Sequence, residues 1–263
     1  MIKLSIITIN YNNVNGLKKT IESVVNQSAT DFEYIIIDGG STDGSIDLIK
    51  SHENKINFWI SEPDKGIYNA LNKGIAKANG EYLLFLNGDD CLLHDDILNE
   101  NMHHLESKDL VYFDIIYNDK NLNKRITYPD TLSFYFFYTN TICHQAIFFK
   151  KELFSKYGLY DEQLKIVADW KCIMLAVVKY GATYKHINAV FSVFDNTGIS
   201  NTNDKKNEHI QLHLKERQAV LAEEFPLFVG DYEQFQLLKY YFNTYKLNYL
   251  KTILAKMKLL FFR

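Results

Sequence analysis

The segment Tyr82-Leu83-Leu84-Phe85-Leu86 is an unbroken apolar run with no polar alternation. Such a run suits a strand covered on both faces, as in a parallel sheet with helices packed on either side. Leu4 to Ile9 is a short β-branched apolar run, and Tyr34 to Ile37 and Phe58 to Ile60 read as further strands. Between these runs the apolar residues recur at helical spacing. Leu17, Ile21, Val24 and Val25 make one stripe, and Ile46, Leu48 and Ile49 a shorter one. Ile67, Ala70, Leu71, Ile75 and Ala78 make a third, with Gly80 expected as the residue just past its helix. Strands alternating with helices at this spacing predict βαβ units, and so an α/β fold with a mostly parallel sheet flanked by helices.

The texture changes after residue 110. Leu110 to Tyr117 and Ala146 to Phe149 read as strands, and Phe134 to Tyr138 is unusually aromatic. Trp170, Ile173, Met174, Val177 and Val178 mark a helix closed by Gly181, and from Asn203 the pattern is helical to the end. The expected organisation is one domain over 1–202, with halves 1–110 and 111–202, and a helical C-terminal extension over 203–263.

Bulk properties exclude several classes. An apolar fraction of 47% rules out global disorder. A net charge of −3 gives no basic signature for nucleic acid. Cys91, Cys143 and Cys172 are far apart and form no C-x-x-C pair, which argues against zinc ribbons and disulfide frameworks and for a reducing compartment. The apolar start, Met1 to Asn10, is too short for a signal peptide, and no run approaches the length of a membrane span. A cytoplasmic protein is expected, with one reservation. Residues 246–263 carry Lys246, Lys251, Lys256, Lys258 and Arg263 with no acid, and Leu250, Ile253, Leu254, Met257, Leu260 and Phe261 recur at helical spacing. A basic amphipathic helix of this kind can lie on the inner face of the cell membrane. The alternative is docking on the protein's own core or on a homodimer partner.

Chemistry-bearing residues gather where the strands end. Thr8, Asn10 and Tyr11 close the first, Asp38 the second, Glu62-Pro63-Asp64-Lys65 the third, and Asp89-Asp90 the fourth. In open α/β sheets that edge holds ligands. Adjacent aspartates repel unless a cation or a set of donors lies between them, so a divalent metal holding a diphosphate fits Asp89-Asp90. The competing reading of Asn87-Gly88-Asp89-Asp90 is a type I′ hairpin with solvated acids. Asp38 has an Asx-turn as its alternative, and Lys65 a solvated surface position. Asp43 reads as a helix cap, Tyr68 as part of a helix face, and Trp170 as core. His144 suits either a phosphate or metal contact or an internal hydrogen bond. The chain lacks a G-x-G-x-x-G unit after its first strand, a phosphate-binding G-x-x-x-x-G-K-[ST] loop and a G-x-S-x-G elbow.

Leu4-Ser5-Ile6-Ile7-Thr8-Ile9-Asn10-Tyr11-Asn12, Ile36-Ile37-Asp38-Gly39-Gly40-Ser41-Thr42-Asp43-Gly44 and Asn87-Gly88-Asp89-Asp90 together resemble the successive signatures of glycosyltransferase family 2, of the GT-A fold. Glu62-Pro63-Asp64-Lys65-Gly66-Ile67-Tyr68-Asn69-Ala70-Leu71-Asn72-Lys73-Gly74 is similar to the branch that builds bacterial surface polysaccharides. The likeness continues through His144-Gln145-Ala146-Ile147-Phe148-Phe149 and Ala168-Asp169-Trp170 and fades after Gly198-Ile199-Ser200. It implies a nucleotide-sugar donor such as a UDP-sugar, a glycan or lipid-linked acceptor, inversion at the anomeric carbon, and Mn2+ or Mg2+. It places Thr8, Tyr11 and Asp38 at the base and ribose, Asp89 near the ribose, Asp90 on the metal, and Asp169 as the base that activates the acceptor. Many relatives carry Arg where Leu71 stands, so a cationic contact to the nucleotide is either missing here or supplied by Lys65. Asn69 stands where close relatives have Asp, and Asn196-Thr197-Gly198 replaces a more glycine-rich loop.

Two other classes compete. One is a catalytically idle nucleotide-sugar-binding scaffold, against which Asp89, Asp90 and Asp169 argue. The other is a nucleotidyltransferase, which needs a Gly- and Arg-rich loop where this chain has Asn10-Tyr11-Asn12-Asn13.

Overall fold

In a computed structural model the chain is described over residues 2–105, 108–119, 122–195 and 203–261. Its first part runs β1 (Leu4–Asn10), α1 (Val14–Val25), β2 (Phe32–Asp38), α2 (Ser45–Ser51), β3 (Phe58–Ser61), α3 (Ile67–Lys77) and β4 (Tyr82–Phe85). Then come β5 (Cys91–Leu92), α4 (Ile97–Asn101), β6 (Leu110–Asp119), β7 (Leu122–Ile126) and the aromatic helix α5 (Phe134–Thr139). The sequence closes with β8 (Ile147–Lys150), α6 (Glu152–Tyr157), α7 (Ala168–Met174), β9 (Tyr184–Asp195), α8 (Asn203–Glu224) and α9 (Pro226–Phe261).

β1 to β4 are parallel, in the order β3-β2-β1-β4. Every residue of β1 and β4 is buried, which explains their lack of alternation. Leu17, Ile21 and Val24 of α1 pack with Ile6, Tyr34, Ile36 and Leu84 on one face. Beyond β4 the sheet is mixed. β8 runs antiparallel to β4 and β6, β9 parallel to β6, and β5 antiparallel to β9. Antiparallel neighbours need no helical crossover, in keeping with the short helices of this half. Strand order reverses at β1, with β2 on one side and β4 on the other. The carboxyl ends of β1 and β4 therefore flank a topological switch point, where an open α/β sheet forms its crevice.

Two sequence expectations for α3 change. Ile67 is exposed and Tyr68 is buried, so the inward stripe is Tyr68, Leu71 and Ile75. Gly80 does not cap the helix; Ala78, in extended conformation, does. Gly80 instead marks a close approach to β1, where a Cβ would lie 2.5 Å from Ser5 N. Its N–H donates to Ser5 Oγ (2.8 Å) and to Glu33 Oε1 (3.1 Å). Burial opposes the Glu33 charge, but donors from Ser5, Asn79 and Gly80 outweigh it and hold its pKa below the ordinary value. This carboxylate ties together the start of β1, the start of β2 and the turn into β4.

The chain divides into two compact units, Met1–Ile210 and Gln211–Arg263. In the second unit Val220, Leu221 and Phe225 are buried, while Phe235, Leu238, Phe242, Tyr245 and Tyr249 along α9 are exposed. Most side chains of the basic segment 246–263, and the loop Asn196-Thr197-Gly198, lie outside the described residues. Among the described residues, no helix is long and apolar enough to cross a membrane.

Candidate active site at the switch point

Register places Asn10, Asp38 and Ser61 side by side at the ends of β1, β2 and β3. Asp38 is fully buried, and its carboxylate is engaged by its own surroundings. Oδ1 accepts from Asn10 Nδ2 (2.9 Å) and Ser41 Oγ (2.6 Å); Oδ2 accepts from Gly40 N (3.1 Å), Ser41 N (2.8 Å) and Ser61 Oγ (2.6 Å). Burial pushes its pKa up, but these bonds more than offset that and hold it below the ordinary value. Asp38 thus organises the β2 loop in the Asx manner, and its oxygens have no evident lone pair left for a ligand. Thr8 is also withdrawn from the crevice. It is fully buried, and its hydroxyl lies 3.1 Å from the buried Tyr34 hydroxyl. Asn10 has its Oδ1 buried without a partner at the strand end. Asp43 accepts from Ser45 N (3.1 Å) and Val14 N (2.8 Å), satisfying first-turn amides of α2 and α1.

Around this row, Tyr11 is 66% exposed. Tyr11 and Asp64 converge over Gly39, where a Cβ would lie 2.6 Å from Asp64 Oδ2 and 3.2 Å from the Tyr11 ring. Asp64 Oδ1 accepts from Gly66 N (2.8 Å), and Lys65 is exposed beside it.

Asn87 to Asp90 form a tight turn in which Asp90 N donates to Asn87 O (3.0 Å). It is not a type I′ hairpin, because Asp89 carries a positive φ of 88° and Gly88 does not. A positive φ at the third position is the type II pattern, with aspartate where glycine is usual. Such strain in a non-glycine residue costs about 1–3 kcal/mol and concentrates at functional sites. Asp89 Oδ2 accepts from Asn13 Nδ2 (2.7 Å), and Oδ1 lies 3.8 Å from Lys19 Nζ. Asn13 was missed by sequence reasoning; its Oδ1 also caps α1 through Gly16 N (3.1 Å). The Asn-x-x-Gly spacing was the available signal.

Asp90 is only 3% exposed. Its carboxylate accepts from Asn87 N (3.0 Å) and Gln145 Nε2 (3.2 Å). Burial pushes its pKa up to about 6, with Asp89 adding to the effect and His144 and the Asn87 N–H opposing it. This oxygen pair is therefore an anion short of positive charge. Hard oxygen donors in that condition fit Mg2+ or Mn2+, which commonly use one or two carboxylates and take their other ligands from substrate phosphates.

Asp169, in the first turn of α7, meets residues from distant parts of the chain. Tyr68 OH donates to Oδ1 (3.2 Å), and His144 Nδ1 lies 3.2 Å from Oδ2. Burial opposes the Asp169 charge, but the bond from His144 and its charge, the Trp170 amide and Tyr68 together hold the pKa below the ordinary value. Burial alone would lower the His144 pKa; Asp169 and Asp90 outweigh it and raise it. His144 Nε2 lies 3.9 Å from Asp90 Oδ2, so one imidazole faces both carboxylates. Asn87 Nδ2 lies 3.0 Å from the same Nε2, while Asn87 Oδ1 is buried without a partner. Turning that amide over lets Oδ1 accept from Nε2–H, the arrangement a protonated His144 requires. Trp170 is core, and its Nε1 donates to Phe137 O (2.9 Å).

The chain matches the family model described as Glycosyl transferase family 2 over residues 5–158. It is 31% identical over 194 residues to a PGL/p-HBAD biosynthesis glycosyltransferase of Mycobacterium bovis, covering 71% of this chain and 74% of that protein. The 1–349 fragment of S. aureus TarS in complex with UDP-GlcNAc is similar with a TM-score of 0.64 and 17% identity, covering 84% of this chain and 71% of that one. A mannosyltransferase from Pyrobaculum calidifontis, in complex with GDP-Man and Mn2+, gives a TM-score of 0.61 and 16% identity, over 81% of this chain and 63% of that one.

Proposed function

Because the chain belongs to glycosyltransferase family 2 and carries its GT-A fold, we propose that it transfers a sugar from a nucleotide-sugar donor to a glycan or lipid-linked acceptor with inversion at the anomeric carbon. The observation that carries this reading is the single imidazole, His144, facing both Asp90 and Asp169. A carboxylate suited to a cation and a carboxylate suited to a base stand on either side of one side chain. A UDP-sugar is the donor of choice here, and assembly of a bacterial surface polysaccharide or glycolipid the setting. UDP-GlcNAc in the TarS complex supports the donor, and the PGL/p-HBAD biosynthesis glycosyltransferase supports a bacterial biosynthetic setting.

Tyr11, Asp64 and Lys65 flank the nucleotide, with Asn10 offering its unpartnered Oδ1 as an acceptor. Asp38 and Thr8 act from beneath, by fixing the loop and the strand that carry these groups. Asp89 lies toward the ribose, and Asp90 is the residue that would hold the cation. A divalent ion there would offset the charge that develops on the departing diphosphate. Asp169 accepts the acceptor's hydroxyl proton as that oxygen forms its bond to the anomeric carbon. The bond from that carbon to the diphosphate oxygen breaks on the opposite face. The low pKa of Asp169 keeps it ionised and ready at neutral pH, and makes it a mild base that takes the proton late in the attack.

Incubation with a panel of nucleotide sugars, Mn2+ and candidate acceptors tests the reading. Acceptor-dependent release of a nucleoside diphosphate from one donor class is expected. Tight donor binding without release from any of them would favour the idle scaffold and overturn transfer.

We also assign residues 246–263 to a peripheral membrane contact, on their basic composition and helical apolar spacing. Flotation with anionic liposomes should be lost on removing 246–263; equal flotation of both forms would reject the assignment.

A further inference from the structure

We infer that Tyr68 is the positioning residue of the base, and that α3 carries the register between the donor side of the crevice and Asp169. The inference rests on the reading of Asp169 as the base.

Asp169 sits at the start of a helix that lacks a side-chain cap of its own: Val167, at the cap position, makes no such bond. The first amides of a helix need acceptors from elsewhere. Tyr68 reaches this helix start from far along the chain. Its hydroxyl proton goes to Asp169 Oδ1 (3.2 Å). This hydroxyl thus holds the side chain of the base from one side. Burial, followed by the charge of Asp169, pushes the Tyr68 pKa up, so the phenol stays a donor at every working pH. His144 takes the other oxygen, which leaves the carboxylate no rotational freedom without breaking a bond.

Tyr68 is not an isolated contact. It is buried, with its ring centroid 5.8 Å from that of Tyr160. One turn further on, Asn72 clasps the backbone of Tyr160 in both directions, with Nδ2 donating to the carbonyl (2.9 Å) and Oδ1 accepting from the amide (3.0 Å). Asn69 Nδ2 donates to Glu162 Oε2 (2.9 Å). α3 therefore grips the segment leading into α7 at three places. The same helix begins directly after Asp64 and Lys65, whose loop Asp64 closes onto Gly66 N. Donor-side loop and acceptor base hang from one rigid element.

Tyr68→Phe keeps the ring and removes only the hydroxyl. It should lower kcat by about 10- to 10²-fold, the usual penalty for a misplaced reacting group, with donor Kd and KM within about twofold. The discriminating measurement is a double-mutant cycle with Asp169→Asn. If Tyr68 acts through Asp169, Tyr68→Phe should cost nothing further in that background. Equal losses in both backgrounds, with a lowered Tm, would mean a merely structural role and overturn the inference. Wild-type kcat in Tyr68→Phe beside an inactive Asp169→Asn would also overturn it while leaving the base in place. Near-normal kcat in Asp169→Asn would instead remove the base itself. Should Tyr68→Phe not fold, His144→Gln tests the other carboxylate oxygen in the same cycle, and additivity there would overturn the two-point hold.

Discussion

Asp169→Asn should lower kcat by about 10²-fold or more, the range usual for losing a general base. The variant should fold. Asparagine can accept the Tyr68 hydroxyl bond through Oδ1, and His144 keeps Asp90 as a facing carboxylate. Donor affinity should stay within about threefold, because Tyr11, Asp64, Lys65 and Asp90 are untouched. The loss belongs in kcat, since the base takes its proton only in the transition state. Calorimetric donor titration alongside single-turnover kinetics separates the two quantities. A variant with near-normal turnover would return Asp169 to the role of an acid at a helix start, where the dipole alone favours it.

The sequence made some of this structure legible and hid the rest for identifiable reasons. β1, β2 and β4 could be read because burial on both faces leaves runs dominated by apolar residues with no regular polar alternation. β5 could not: it is a two-residue strand, too short to carry a period. Asp89 and Asp90 follow β4 and Asp169 lies in the first turn of α7, the positions that the strand and helix patterns predict. Asp38 and Thr8 show the limit of that reasoning. An acid or hydroxyl near a strand end has the same sequence signature whether it faces a ligand or its own fold. Only the geometry reveals that Ser41 and Ser61 have taken the Asp38 oxygens and Tyr34 the Thr8 hydroxyl. Tyr68 was hidden differently. Its neighbour Ile67 is the more apolar residue and so attracts the inward assignment. The reason tyrosine turns inward is a carboxylate far along the chain, which no local pattern encodes.

Asp90→Asn should make donor binding indifferent to the metal. The wild-type carboxylate is almost wholly buried and accepts hydrogen bonds from Asn87 N and Gln145 Nε2. Burial outweighs the help that His144 and the Asn87 N–H give this anion, so a cation held there would meet a carboxylate still short of positive charge. An amide of the same shape offers one neutral oxygen and no charge. Affinity for the nucleotide sugar in Mn2+ should fall by at least about 10- to 10²-fold, since even an outer partner of a metal ligand is worth that much. EDTA should weaken wild-type binding and leave the variant's residual binding unchanged. Stability gives a readout independent of turnover. Without metal the variant should melt no lower than the wild type, because it removes a charge that burial opposes. With nucleotide sugar present, Mn2+ should raise the wild-type Tm by preferential binding to the folded state and leave the variant's unmoved. Unchanged metal-linked binding in the variant would mean that the cation, if used, is held elsewhere in the crevice, and would return Asp90 to the turn it shares with Asn87.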